Sequence, residues 1–493
     1  MKIIKELELN QFTVSDLSNV LDLPFSETVE VIKELAIRNV IRKVDKSSGF
    51  GLLAKVSEQD RFYYNFCGVV AFQDFVFLLG PKYLKEYGFD EDHFALILKV
   101  LQKEHAYLSQ IGEPEDLMES GTSRSALVLA LVESYLEHGL LSRTQNYLAL
   151  NGNGVTNWLQ TISRCEPIFQ NGRPLYLDVV THQSTVVTDD LVSDIHKAVV
   201  AECLDIVDKS FIGQIVGIDD KIEAPRCLSE IGDREYLISA LKRSLSLEFV
   251  TWKQETLNLL LAYVEGSGLE SSVSSIFSLG TTAFNLVWER ACKFVFSDDL
   301  KTNLPTNKDA QQFTSSGKDN KTLIDEIPKP VWVLTDGSEN EAAHTLTPDT
   351  VKIGAFEGLG RYMLIVDAKY YAPTFEDSVE NAPGIESITK QFLYQRAFAK
   401  FINENKIKQI ANVFVFPSYG DCMERPAEVR LPGLFDESSP MPSKIGQWMI
   451  PAKDVFEAYI SGTRKFGYEL VRTILSSEHQ TVEGSPLHDV RVV

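Results

Sequence analysis

The chain has 493 residues, enough for about two to four domains with cores of their own. Hydrophobic residues make up 44% and charged residues 24%, a balance that excludes disordered, fibrous and collagen-like classes. A net charge of −21 excludes a broadly basic surface, so any phosphate contact must come from a local patch or through a partner.

The first ten residues, "MKIIKELELN", alternate charged and apolar side chains and contain no signal-peptide core. The most apolar run, "FCGVVAFQDFVFLLG", is interrupted by Gln73 and Asp74, so no membrane span is expected. The six cysteines are scattered without a C-x-x-C pair, which argues against a disulfide framework or structural zinc. The expectation is a cytoplasmic protein with no membrane attachment.

Residues 1–55 form the first predicted module. Thr13 or Ser15 can cap a short helix ending near Leu21, and Pro24 and Ser26 restart the chain into a second. There Val29, Ile32, Leu35 and Ala36 recur at helical spacing. The pattern is similar to winged helix-turn-helix domains, used either to enter a DNA groove or to pack against protein. Both uses stay open at this point.

Residues 56–250 read as a mixed α+β middle region and a candidate partner-contact region. Strand-like runs flank Gln73 and Asp74, Pro81 stops them, and "DEDHFALILKVLQKEHAYL" follows as an amphipathic helix. Residues 124–150 are expected to give a helix and then a loop. The Asn-Gly-Asn-Gly sequence at 151–154 marks a turn and lacks the Gly-Lys-Ser/Thr ending of a nucleotide loop. No Walker-type nucleotide loop occurs in the sequence. Trp158 is expected to be a core anchor, and Lys82 and Tyr83 in "GPKYL" to pack after a strand stop. Residues 186–296 read as mainly helical.

Residues 251–476 form the last predicted domain. A polar stretch at 299–328 lacks apolar periodicity and is expected to be a mobile inserted loop. Residues 477–493 are expected to be a flexible tail.

The chemistry concentrates around "RYMLIVDAKYYAP" (361–373). Alternate side chains of a strand share a face, so Asp367 and Lys369 point the same way, with Met363 and Ile365. An acid and an ammonium at the end of a buried strand are costly unless paired or used. A structural ion pair satisfies that requirement as well as a catalytic site does. Eighteen residues upstream, Asp349 follows Pro348 at the start of another expected strand. A turn at "EGLG" (357–360) would bring Asp349 beside Asp367. Gln391 and Tyr394 lie one turn apart on a downstream helix, "QIANVFVFP" follows as a strand, and Glu289 lies on an upstream helix, "FNLVWERACKFVF". The eight histidines show no metal-ligand spacing.

That order resembles the PD-(D/E)xK nuclease superfamily, with "PD" at 348–349 and "DAK" at 367–369. The resemblance implies a multidomain α/β (α+β) protein. Its C-terminal restriction-endonuclease-like domain would have a central mixed sheet flanked by helices. It further implies that Asp349 and Asp367 bind Mg²⁺, with Glu289 completing the metal site. Lys369 would assist attack on the phosphodiester. Gln391 and Tyr394 would support the site or contact DNA.

"VDAKYY", "PGIESITKQFLYQ", "NGNGVTNWLQTI", "FCGVVAFQDFVFLLGPKY" and "FNLVWE" look like the LlaJI-type restriction endonucleases, relatives of the McrC half of McrBC systems. Covering roughly residues 60–475, this resemblance implies a restriction subunit cutting double-stranded DNA in anti-phage defence. It also implies an AAA+ GTPase partner that recognises and translocates the DNA. Two other readings compete: a stand-alone restriction or repair nuclease without a motor, and a non-catalytic DNA-binding scaffold that keeps the nuclease fold.

Overall fold

The computed structural model describes residues 2–480 apart from 45–55, 73, 112–119, 188–189, 210–212, 214–217, 219, 267–276, 305–312, 314–321, 376–377 and 435–442. The chain divides into two compact units, residues 1–119 with 278–493, and residues 120–277. This partition differs from the sequence boundaries at 55 and 250, because the first part of the chain groups with the last.

In the first unit, Thr13 caps the helix Val14–Leu21 with a reciprocal box. The Asp16 N–H donates to Thr13 Oγ1 (3.1 Å) and the Thr13 N–H to Asp16 Oδ2 (2.8 Å). A second helix, Phe25–Ile37, buries Val31, Ile32 and Leu35. Its outer side carries Glu27, Glu30 and Glu34, with Lys33 and Arg38 tied to the last two. The strands Gln11–Thr13 and Ile41–Lys43 both pair antiparallel with Arg61–Tyr64, so this small sheet extends past residue 55.

The strand Lys2–Leu7 leaves that group. It runs parallel to Phe75–Gly80 at the edge of a four-stranded sheet that continues through Cys67–Phe72 to Phe277–Thr281. The two central strands are buried along their whole length. Gly68 lies where the last strand passes, and a Cβ there would fall 2.1 Å from the Leu279 carbonyl oxygen.

The same unit holds a five-stranded mixed sheet in the order Thr350–Phe356, Gly360–Ala368, Gln409–Ser418, Lys444–Pro451, Glu424–Arg430. Its first pair and its last are antiparallel, and the two central pairings are parallel. The helix Ile385–Ala397 lies in the crossover between the parallel strands Gly360–Ala368 and Gln409–Ser418, as a parallel connection requires. Val351, Ile353, Met363 and Ile365 pack with Phe398, Phe401 and Ile402.

Leu300, Leu304, Phe313, Leu323 and Ile327 join that core. The expectation of a mobile insert at 299–328 is therefore corrected at these positions; 305–312 and 314–321 lie outside the described residues. The apolar residues here are irregularly spaced, so no periodicity announces them, yet each finds a place on the sheet. The helix Lys465–Gln480 likewise carries regular structure past Ser477, where a tail was expected. The remaining tail positions lie outside the described residues.

In the second unit the helices Ser120–His138, Leu191–Lys209, Arg234–Leu245 and Thr251–Gly266 pack together. The expected loop before residue 150 is instead the strand Arg143–Leu150, antiparallel to Val180–Val187. Trp158 is corrected too: 58% exposed, it caps no core, and its ring stands edge-on to Tyr176 at 6.5 Å. Leu159, Ile162 and Phe169 are exposed nearby. Among the described residues no helix is long and apolar enough to cross a membrane.

Candidate active site

The strands Thr350–Phe356 and Gly360–Ala368 form a hairpin whose turn contains Gly358 and Gly360, both at positive φ (87° and 78°). Glycine adopts that conformation without a Cβ penalty. Thr350 pairs with Val366. One step further along the same register sets Asp349 opposite Asp367. Met363 to Val366 are fully buried, which holds the end of the second strand in one place.

Asp367 is 5% exposed, and its Oδ2 lies 2.9 Å from Lys369 Nζ. Its Oδ1 is buried and receives no hydrogen bond. Lys369 follows the last strand residue; its N–H donates to the Val415 carbonyl (2.9 Å) and its ammonium lies 5.9 Å from the Phe414 ring centre. Asp349 is half-buried, within hydrogen-bonding reach of Asp367. Burial first, and the Asp367 carboxyl second, push its pKa up to about 7, against the pull of Lys369 and Lys293. Crowding of this kind is relieved by a shared proton or by a cation. The donor set, two hard oxygen ligands with one oxygen unserved, fits a divalent ion such as Mg²⁺.

Glu289 is not gathered with the pair. Among the described residues no group of three or more His, Cys, Asp or Glu side chains is arranged to hold a metal. Its Oε1 instead pairs with Lys293 Nζ at 2.7 Å on the same helix, Phe284–Val295. The Lys293 charge in turn reaches Asp349.

Gln391 is fully buried and faces no solvent. Its Nε2 lies 3.4 Å from the Ile365 carbonyl and 3.3 Å from that of Val413, spanning the two parallel strands. Asn412 Nδ2 completes the layer by donating to the Gln391 carbonyl (3.1 Å) and Gln395 Oε1 (3.0 Å). Tyr394 packs against the core formed by Met363, Ile365, Phe398 and Phe401. Its hydroxyl pKa is raised by burial and then by the charges of Asp349 and Asp367.

Sequence reasoning passed over Asp298 and Asp299. Asp298 Oδ1 accepts from the Val351 N–H (2.9 Å) and Asp299 Oδ2 from that of Ile353 (3.1 Å), while Lys352 Nζ lies 3.1 Å from Asp299. These bonds pin the strand that begins beside Asp349. The only signal was a pair of acids after a helix, which ordinarily reads as a solvated terminus.

The chain is 27% identical over 408 residues to a Bacillus subtilis (strain 168) protein, the type II restriction enzyme BsuMI component YdjA, covering 80% of each. Two solved Thermococcus gammatolerans assemblies are also similar. A chain of the half-complex of McrB AAA+ hexamers with bound McrC matches at 14% identity and TM-score 0.36, covering 96% of this chain and all of that one. A chain of the McrBC complex matches at 13% and 0.26, covering 59% and 85%. Both scores are too low to define a shared fold. The family model for the LlaJI restriction endonuclease matches residues 66–424, most of the length, and the chain belongs to that family.

Proposed function

We propose that the chain is the nuclease component of a restriction system that acts in anti-phage defence. It hydrolyses phosphodiester bonds of double-stranded DNA through a Mg²⁺-dependent PD-(D/E)xK-type site. The observation that carries this reading is the hairpin register opposing Asp349 to Asp367, with Lys369 Nζ 2.9 Å from Asp367. Asp349 and Asp367 would hold the ion, which when bound supplies charge neutralisation at the phosphate and a more acidic water. Lys369 shares the face of Asp367 and has three donors to offer the oxygen on which negative charge grows. A ligand role for Glu289 requires Lys293 to release it. Gln391 acts by fixing the spacing of the two parallel strands, and Tyr394 lines the side near both acids.

An AAA+ GTPase partner that recognises and translocates DNA is part of the same proposal, resting on the sequence resemblance to the LlaJI-type endonucleases, relatives of McrC. The net charge of −21 and the acidic outer side of Phe25–Ile37 favour delivery of DNA by another chain over reading by that helix. Plasmid cleavage assayed with and without Mg²⁺, GTP and the AAA+ protein tests each element. Cleavage needing Mg²⁺ alone selects the stand-alone enzyme; full cleavage by Asp367→Asn rejects the site.

A further inference from the structure

The residue after Lys369 does not continue toward solvent. Tyr370 is 5% exposed and is plugged into a socket made by two segments from the start of the chain. Its hydroxyl donates to Glu8 Oε2 (2.6 Å) and accepts from the Lys82 N–H (3.2 Å). The Lys82 ammonium lies over the ring, 4.4 Å from its centre. Tyr83 meets the ring edge-on at 6.3 Å and Phe284 packs on it at 5.3 Å.

The socket is built by strand pairing. Lys2–Leu7 and Phe75–Gly80 run parallel, with Leu7 opposite Gly80, so both chains leave the sheet at the same end. The Glu8 N–H donates to the Gly80 carbonyl (2.8 Å), which fixes Glu8 beside the "GPKY" turn that supplies Lys82 and Tyr83. Burial raises the Glu8 carboxyl above its usual range, against the Tyr370 hydrogen bond and the Lys82 charge. A carboxylate is kept in such a place only by the donors that meet it there.

We infer that Tyr370 is a positioning residue for Lys369, its hydroxyl held by Glu8 and Lys82 so that the lysine backbone is anchored on both sides. The N-terminal anchor is the Lys369 N–H bond to Val415; the C-terminal anchor is the Tyr370 socket. Without the second, the strand end carrying the ammonium gains freedom that a phosphoryl-transfer site does not tolerate. This inference rests on the nuclease reading proposed above.

The test uses the full-length chain and single-turnover cleavage under conditions where the wild type cuts. Tyr370→Phe keeps the ring and its packing and removes only the hydroxyl; the rate is expected to fall about tenfold or more, with DNA affinity in Ca²⁺ unchanged. Glu8→Gln retains an acceptor for the hydroxyl and is expected to lose less than Glu8→Ala. The decisive readout is coupling: in a Lys369→Ala background, Tyr370→Phe should cost little more. Hydrogen exchange at the Lys369 amide should rise in Tyr370→Phe independently of cleavage. Wild-type rates in Tyr370→Phe, or losses that simply multiply with Lys369→Ala, would overturn the inference. Cleavage retained by Asp367→Asn would instead overturn the nuclease reading, so the two failures are distinct.

Discussion

Asp349 and Asp367 face each other one step beyond the last pair of an antiparallel hairpin, and burial together with the Asp367 carboxyl makes the charge of Asp349 costly. Asp349→Asn should relieve that crowding. Without metal at pH 8, the variant is expected to be more stable than the wild type, by on the order of 1 kcal/mol or more. Stabilisation by Mg²⁺, expected of the proposed site, should vanish with it. Thermal unfolding with and without Mg²⁺ measures both, and a variant less stable than the wild type in EDTA contradicts the crowding.

Lys369 and Asp367 should separate in their kinetic effects. On the proposed site, Asp367→Ala would remove one of the two carboxylates that hold the ion and is expected to abolish cleavage with the fold intact. Lys369→Ala should cost on the order of a hundredfold in rate, the typical loss of one charge-stabilising donor. Circular dichroism alongside cleavage rates checks the pair.

Gln391 offers a contrast, because its side chain is fully buried. Gln391→Leu is expected to lower stability by about 1–3 kcal/mol, the typical cost of losing buried side-chain hydrogen bonds. DNA affinity should stay the same. A large drop in affinity with unchanged stability would assign it to the DNA surface instead.

Two histidines predict an acid-sensitive fold. Burial holds His93 at a pKa of about 4, with Asp90 raising and Lys453 lowering it further and Tyr83 hydrogen-bonded at 2.6 Å. His196, in the other unit, is held at about 4 by burial while its Nδ1 accepts from the Leu141 N–H. The unfolded chain takes up these protons below about pH 6.5 and the folded chain does not. Stability should therefore be lost as pH falls from about 6.5 to about 4 and then level off, by on the order of 3 kcal/mol per histidine. Denaturant unfolding of wild type and a His93→Gln, His196→Gln variant at pH 7 and 4.5 isolates the effect; parallel losses in the two proteins refute it.

The hairpin was legible because strand alternation, the "EGLG" turn and the two acids all agree within twenty residues, where local pattern sets the register. Trp158 was misjudged because a large aromatic beside a turn gives no local sign of which side is covered. Leu300 with Leu304 and Leu323 with Ile327 give only isolated i,i+4 pairs, too short to announce an element, and the sheet they cover lies later in the chain. Glu289 illustrates a different limit: its place on the helix was evident, but its occupation by Lys293 depends on side-chain geometry. Glu8 carried no signal at all, since its partner Tyr370 is 362 positions away.

That separation has a consequence during synthesis. At roughly 5–20 residues per second, Glu8 leaves the ribosome some 20–70 s before Tyr370 exists to meet it. Through that interval the socket at the end of the first sheet is vacant, and its carboxylate can stay hydrated. The strand end at Lys369 and the first eight residues therefore close as a late event in maturation. A nascent chain released before Tyr370 would carry the paired strands Cys67–Phe72 and Phe75–Gly80 but nothing to fill the socket beside Glu8.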